Sequence, residues 1–182
     1  MSINKSNIRE EIKLELKLVK PTQDMKSAYL DFIYEWERFG EHITPYASRL
    51  LQSDYEQWLE VTNKLETNAP SHLVLAHTYF LIKDNNIILG SINIRHYLSD
   101  YLMQFGGHIG YGIRPTYRRK GFAVKMLAMA LPMAKELGIQ KVLITCDKNN
   151  IGSAKTIQKN GGVLEDEVAD GYKIIQRYWI EV

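Results

Sequence analysis

Residues 108–137 read HIGYGIRPTYRRKGFAVKMLAMALPMAKEL, a strand, a basic glycine turn and a helix in immediate succession. The apolar, glycine-dotted strand His108 to Arg114 stops at Pro115, which has no N–H to continue a ladder. The turn Arg118-Arg119-Lys120-Gly121-Phe122-Ala123 then leads straight into an apolar helical run ending at Leu137. A helix start leaves backbone N–H groups without intrahelical partners and carries the positive end of the macrodipole. Gly121 lets a ligand approach the backbone where a side chain would obstruct it. Three consecutive cations add attraction for anions. Strand, basic turn and helix together predict a pocket for a phosphate or pyrophosphate.

Two common phosphate motifs are absent. A P-loop needs G-x-x-x-x-G-K-[ST], and no Gly-Lys-Ser or Gly-Lys-Thr occurs. The dinucleotide fingerprint G-x-G-x-x-G would start at Gly110 and Gly112, but its third glycine falls on Pro115. Downstream, Leu137-Gly138 stops the helix and Lys141 to Cys146 is a short β-rich run. Asp147-Lys-Asn-Asn150-Ile-Gly-Ser153 follows, opening a helix that ends near Gly161-Gly162.

Arg118-x-x-Gly121-x-Ala123 resembles the cofactor loop [QR]-x-x-G-x-[GA] of the GNAT N-acetyltransferase superfamily. The strand ending Ile-Arg-Pro before it, the long helix after it, and the Asn150-x-x-Ser153 segment about thirty residues on match the same family. The resemblance runs from roughly Leu75 to the C-terminus, with a weaker match before that. It implies an α/β (α+β) GNAT fold over one domain, residues 1–182, with 1–10 a loose lead-in. The central sheet would be mixed, mostly antiparallel and twisted, of about seven strands flanked by about four helices, and splayed at the strand ending near Arg114. It further implies an acyltransferase that moves an acetyl group from acetyl-CoA to a primary amine of a small molecule, peptide or protein. Coenzyme A would be held by Ile113, Arg118, Arg119, Lys120, Gly121, Phe122, Ala123, Asn150 and Ser153. The alternative is a coenzyme A-binding or regulatory domain of the same fold without chemistry.

Such a reaction needs a positioned amine and a backbone N–H for the developing oxyanion. By position, the backbones of Tyr111 and Ile113 are the candidates, and Gly110 and Gly112 in the same strand fit close ligand approach. Many family members place a tyrosine acid seven residues after the motif asparagine. Here that position is Ile157. His108 is the first choice for the base, since an imidazole titrates near working pH; the alternative is a structural histidine bonded to backbone. Tyr111 is a candidate acid or orienting group, or else an aromatic of a buried sheet. Glu35, Glu37, Glu41 and His42 cluster at the end of the first predicted helix and either recognise a cationic acceptor or are simply solvated. Cys146 reads as a small core thiol. His72 and His77 lack partners at metal-ligand spacing, so no metal is expected.

Composition narrows the partners. The net charge is +2, from 23 basic and 21 acidic residues, so there is no global polyanion signature and no nucleic-acid partner is expected. The one cysteine cannot form an internal disulfide, and no apolar run approaches signal-peptide or membrane-span length. A cytoplasmic location is the expectation, with a homodimer through the terminal strands as an option.

Periodicity gives the layout. Ile12, Leu14, Leu16 and Leu18 alternate as a strand, and Asp24 to Phe39 is an amphipathic helix stopped by Gly40. Ser53 with Glu56 reads as a capping box for a helix to about Leu65. Thr78–Ile82 and Ile87–Tyr97 are strands around an Asp84-Asn85-Asn86 turn, and Val163–Val168 with Tyr172–Ile180 a closing hairpin. Pro132 should kink the main helix, whose methionines read as packing material.

Overall fold

The computed structural model describes residues 15–84 and 87–182; the lead-in, Ile12, Leu14 and the Asn85-Asn86 part of the turn lie outside them. Within that range the chain runs β1 (Leu16–Val19), α1 (Lys26–Arg38), α2 (Tyr55–Lys64), β2 (Ala76–Lys83), β3 (Ile87–Arg95), β4 (Ile109–Ile113), α3 (Phe122–Glu136), β5 (Lys141–Asp147), α4 (Ile151–Lys159), β6 (Val163–Asp170) and β7 (Lys173–Glu181). This is the expected order. The first helix begins in a 3-10 turn at Gln23–Met25, and Gly40 follows its end at φ +66°. The cap of α2 differs by one residue from the capping-box reading. Asp54, not Ser53, is the cap, its carboxylate accepting the Gln57 N–H at 2.8 Å, while the Ser53 hydroxyl donates to the Leu50 carbonyl of the preceding turn.

The expected splay is a full separation. One antiparallel sheet has the order β1-β2-β3-β4 and a second the order β5-β7-β6. Each strand of the first sheet is antiparallel to its neighbour, and β2, inside it, is covered on both faces. Its run Tyr79-Phe80-Leu81-Ile82 is accordingly buried throughout.

On one face lies an aromatic layer from α1 and α2. Tyr29, Phe32, Trp36, Tyr55 and Trp58 pack on Phe80, with the Tyr29 and Trp58 rings stacked 4.7 Å apart. On the other face α3 contributes Phe122, Met126, Leu127, Ala130 and Ala134 to a core shared with both sheets. Met126 is fully buried, as packing material should be. The helix continues past Pro132 to Glu136. The two layers hold β4 between the loops that follow α1 and the start of α3, which places the functional cleft.

Candidate active site

Strand β4 explains the cleft. Arg95 N–H donates to the His108 carbonyl at 2.8 Å and Arg114 N–H to that of Leu89 at 2.9 Å. With the register Asn93 to Gly110 and Ser91 to Gly112, the antiparallel ladder alternates. Even-numbered residues of β4 therefore bond to β3. The N–H and C=O of Ile109, Tyr111 and Ile113 point the other way, toward β5.

Strand β5 does not pair with them. The two sheets touch at a clasp, where His108 N–H donates to the Leu143 carbonyl at 2.7 Å and Leu143 N–H to His108 Nδ1 at 2.9 Å. Gly107 makes this possible, at φ +65° with its Cα so close that a Cβ would come 2.6 Å from the Leu143 oxygen. Beyond the clasp the strands diverge.

The divergence opens into a cavity of about 850 Å³ lined by Tyr111, Gly112 and Ile113 at its inner end. Gly121, Phe122, Ala123 and Val124 line the far end, with Asn150 to Ser153 beside them. Gly121 caps α3 at φ +81°, a conformation that glycine adopts without strain. The first N–H groups of α3 and of α4 thus face one space. Helix α4 is capped by Asn150, whose Oδ1 accepts the Ser153 N–H at 3.0 Å. The expected ligand residue Asn150 is therefore occupied in shaping the helix start.

The cations divide differently from the sequence reading. Arg118 lines the cavity, paired with the loop after α1. Its Nη atoms clamp the Glu41 carboxylate at 2.8 and 2.7 Å, its Nε donates to the Ile113 carbonyl at 2.9 Å, and its guanidinium lies 4.7 Å from the Trp36 ring centre. Hydrogen bonding from Arg118 holds the Glu41 carboxyl below its ordinary pKa. Lys120 lies outside the cavity lining, its Nζ donating to the Thr116 carbonyl at 2.8 Å.

Arg119 lines the cavity and makes no ion pair among the described residues. Lys155 and Lys159 do the same, and the sequence reading missed both. Their one signal was an i, i+4 pair of lysines on the helix that follows the asparagine. Trp36, His42, Thr44 and Tyr117 also line the space.

Tyr111 hydroxyl bonds to Ser153 Oγ at 2.9 Å, spanning the gap from β4 to α4. Burial pushes its pKa up to about 12. Cys146 is buried at the end of β5, its thiol raised to about 11 by burial.

His108 lies outside the cavity lining, at the clasp and 8% exposed. Burial, then the neighbouring Arg95 cation, lowers its pKa to about 4. With Nδ1 accepting the Leu143 N–H, the neutral ring carries its proton on Nε2 and offers no free lone pair.

The glycines of β4 also have another cause. A Cβ on Gly112 would collide with the Thr44 carbonyl oxygen, and one on Gly110 would sit 3.2 Å from Pro45 and 3.4 Å from Arg95 Nη2. The close approach is made by the chain's own loop. Two of the carboxylates at the end of α1 and just after it, Glu35 and Glu41, are likewise committed internally. Glu35 accepts from Arg114 at 2.7 Å and from the Thr116 N–H and hydroxyl at 2.8 and 2.9 Å. Burial alone would raise Glu35, but Thr116 and Arg114 together bring it below the usual value.

A family model of the GNAT acetyltransferase domain matches residues 14–163. The chain belongs to the GNAT acetyltransferase family. This is the family that the turn and the asparagine segment led one to expect. The N-acetyltransferase YnaD of Bacillus subtilis (strain 168) is 26% identical over 82 residues, 44% of this chain and 46% of that protein, so the aligned stretch spans under half of either.

Among solved structures, the ribosomal L7/L12 α-N-protein acetyltransferase RimL, in complex with coenzyme A, superposes with a TM-score of 0.69. It is 15% identical, over 92% of this chain and 94% of its own. The microcin C7 self-immunity acetyltransferase MccE, in complex with acetyl-CoA and AMP, gives 0.67 at 17% identity, over 92% and 93%. The ribosomal-protein-S5-alanine acetyltransferase of Vibrio fischeri gives 0.67 at 16%, over 92% of each chain. At such identities the likeness shows the GNAT fold. No helix among the described residues is long and apolar enough to cross a membrane.

Proposed function

We propose that the protein is an N-acetyltransferase that carries an acetyl group from acetyl-CoA to a primary amine by direct attack. One observation carries the reading: the edge of β4 at Tyr111 and Ile113, unpaired by β5 and with only the Ile113 carbonyl engaged by Arg118, runs from a closed clasp into a cavity walled by two helix N-termini. An extended amide chain can add to that edge as a strand would, while a pyrophosphate meets the N–H groups of Gly121 to Val124. Arg119, Lys155 and Lys159 supply the balancing charge. Arg118 acts indirectly, strapping the loop after α1 to the turn.

In the transfer, the amine lone pair forms a C–N bond to the thioester carbon as the C–S bond breaks. The amine proton goes to solvent and the thiolate takes one back. The Tyr111 N–H lies where the carbonyl oxygen can be met as its charge grows. The Tyr111 phenol stays protonated throughout the neutral range and can donate a hydrogen bond to the departing sulfur. His108 takes a structural part at the clasp instead of the base role.

The test is thiol release from acetyl-CoA with a panel of amines, peptides and aminoglycosides, together with direct coenzyme A binding. Acceptor-dependent release supports the reading. Binding without turnover on any acceptor would favour a binding or regulatory domain, and absence of coenzyme A binding would sink both. Tyr111→Phe should bind coenzyme A normally and lose about 10²-fold in kcat; a rate within a factor of about two would remove the phenol from the chemistry.

A further inference from the structure

The last residue of β3 is Arg95, which the sequence reading passed over. Its side chain lies across Gly110, so that a Cβ there would be 3.4 Å from Nη2 and 3.8 Å from Nη1. One nitrogen is anchored. Nη1 donates to the Gly106 and Gly107 carbonyls at 3.0 and 2.9 Å, which uses both of its hydrogens. The remaining donors, Nε–H and the pair on Nη2, have no protein partner among the described residues, and neither nitrogen is sealed away from solvent. No carboxylate among the described residues pairs with it, whereas Arg114, Arg118 and Arg177 each hold at least one. The Arg95 side chain is therefore a half-buried cation, fixed along one side, with its Nε/Nη2 edge open. Burial without an anionic partner lowers its pKa.

Its place gives that edge a meaning. Gly110 precedes Tyr111, one strand residue of about 3.4 Å, and lies just beyond the inner end of the cavity lining. The guanidinium sits on the face of β4 covered by Thr44 and Pro45, opposite the face packed by α3. Arg95 is not itself among the residues that line the cavity, but an amine reaching the thioester carbon at Tyr111 past the Thr44–Pro45 loop would approach its guanidinium. A polycation would meet repulsion there. A carboxylate would meet a rigid pair of parallel N–H donors in the geometry that guanidinium and carboxylate share.

We propose that Arg95 is a specificity-determining residue whose Nε/Nη2 edge receives a carboxylate of the acceptor, so the acceptor is an amino-acid-type amine with its carboxylate a few bonds from the reacting nitrogen. The proposal rests on the acetyltransferase reading above and adds the substrate class.

The experiment compares acetylation of L-amino acids, β-alanine and γ-aminobutyrate with that of their amides and methyl esters, and with spermidine, in the wild-type protein. Neutralising the carboxylate should lower kcat/KM about 10- to 100-fold, the range for a hydrogen bond to a charged partner. Arg95→Gln should erase the difference between acid and amide, mainly through KM, while leaving coenzyme A affinity unchanged. Arg95→Lys, which keeps charge but not the fork, should fall between. Equal use of acid and amide, or a preference for spermidine, overturns the assignment, and needs no variant to fold. So does an Arg95→Gln effect of equal size on both. Coenzyme A binding is measured alongside: its absence would sink the acetyltransferase reading itself, whereas intact binding with indifferent acceptors sinks only the role of Arg95.

Discussion

Replacing His108 separates catalysis from architecture, because the two roles predict opposite orders among its variants. The ring does two things at the clasp: Nδ1 accepts the buried Leu143 N–H, and its edge packs near Trp179 with ring centres 6.4 Å apart. His108→Ala leaves that N–H without a partner, which costs about 1–3 kcal/mol, and adds a cavity. The sum is about 3 kcal/mol, or roughly 6–12 °C in Tm for a domain of this size. His108→Asn places an amide oxygen near the position of Nδ1 and should recover most of the loss.

The same histidine makes stability depend on pH. Its folded pKa of about 4 lies below the ordinary 6.5, so the unfolded chain takes up the proton first. The stabilisation is complete above about pH 6.5 and is lost as pH falls through the interval down to about 4. The full interval corresponds to on the order of 3 kcal/mol. Urea unfolding followed by circular dichroism at steps between roughly pH 4 and 8 should show this slope in the wild type and a shallower one in His108→Asn, the remainder including His77 and His96, whose pKa values burial also lowers. Initial rates of the same variant should stay within about threefold of wild type, since loss of a general base costs about 10² to 10⁴. The reasoning is refuted if His108→Asn keeps its Tm but loses about 10²-fold in kcat/KM together with one limb of the pH–rate profile.

Gly121→Val forces a β-branched residue into φ +81° with nothing within 4 Å of the new Cβ, so the strain is in the backbone alone. Stability should fall by about 1–2 kcal/mol and coenzyme A affinity at least about tenfold by calorimetric titration, as the isopropyl group fills the anion site; unchanged affinity would count against a pyrophosphate there. Glu35→Ala removes the carboxylate that ties Arg114, 5% exposed, and Thr116 to α1. Breaking such a buried pair costs about 3 kcal/mol, read as a lower Tm. Because the folded pKa of Glu35 is depressed, this contribution is present at neutral pH and fades as pH drops below 4.5. A Tm indifferent to the substitution would mean that Asp31 alone holds Arg114.

What could be read from the chain beforehand and what could not divide by distance along it. Gly121, the start of α3, the Asn150 turn and the alternation of β4 are local: a dozen neighbouring residues decide them, and each stood legible in the sequence. The order of elements followed for the same reason. The partners chosen by individual side chains did not. Arg118 reads as a phosphate ligand and does line the cavity, but its pairing with Glu41, 77 residues earlier, was not legible. His108 reads as a base until Leu143, 35 residues later, is found donating to Nδ1. Gly110 and Gly112 read as space for a ligand; Gly112 lines the cavity, but Thr44 and Pro45 take up the side on which a Cβ would stand. In each case a partner distant in the chain takes up part of the residue's capacity. Arg95 is the converse: among the described residues only its Nη1 is engaged and no acid pairs with it, so its Nε and Nη2 donors are left to solvent or a ligand. A functional group at such a cleft is better recognised by the hydrogen-bonding capacity left over after folding than by its type, and a strained or charged group left unsatisfied beside Tyr111 is where an acceptor would add the missing partner.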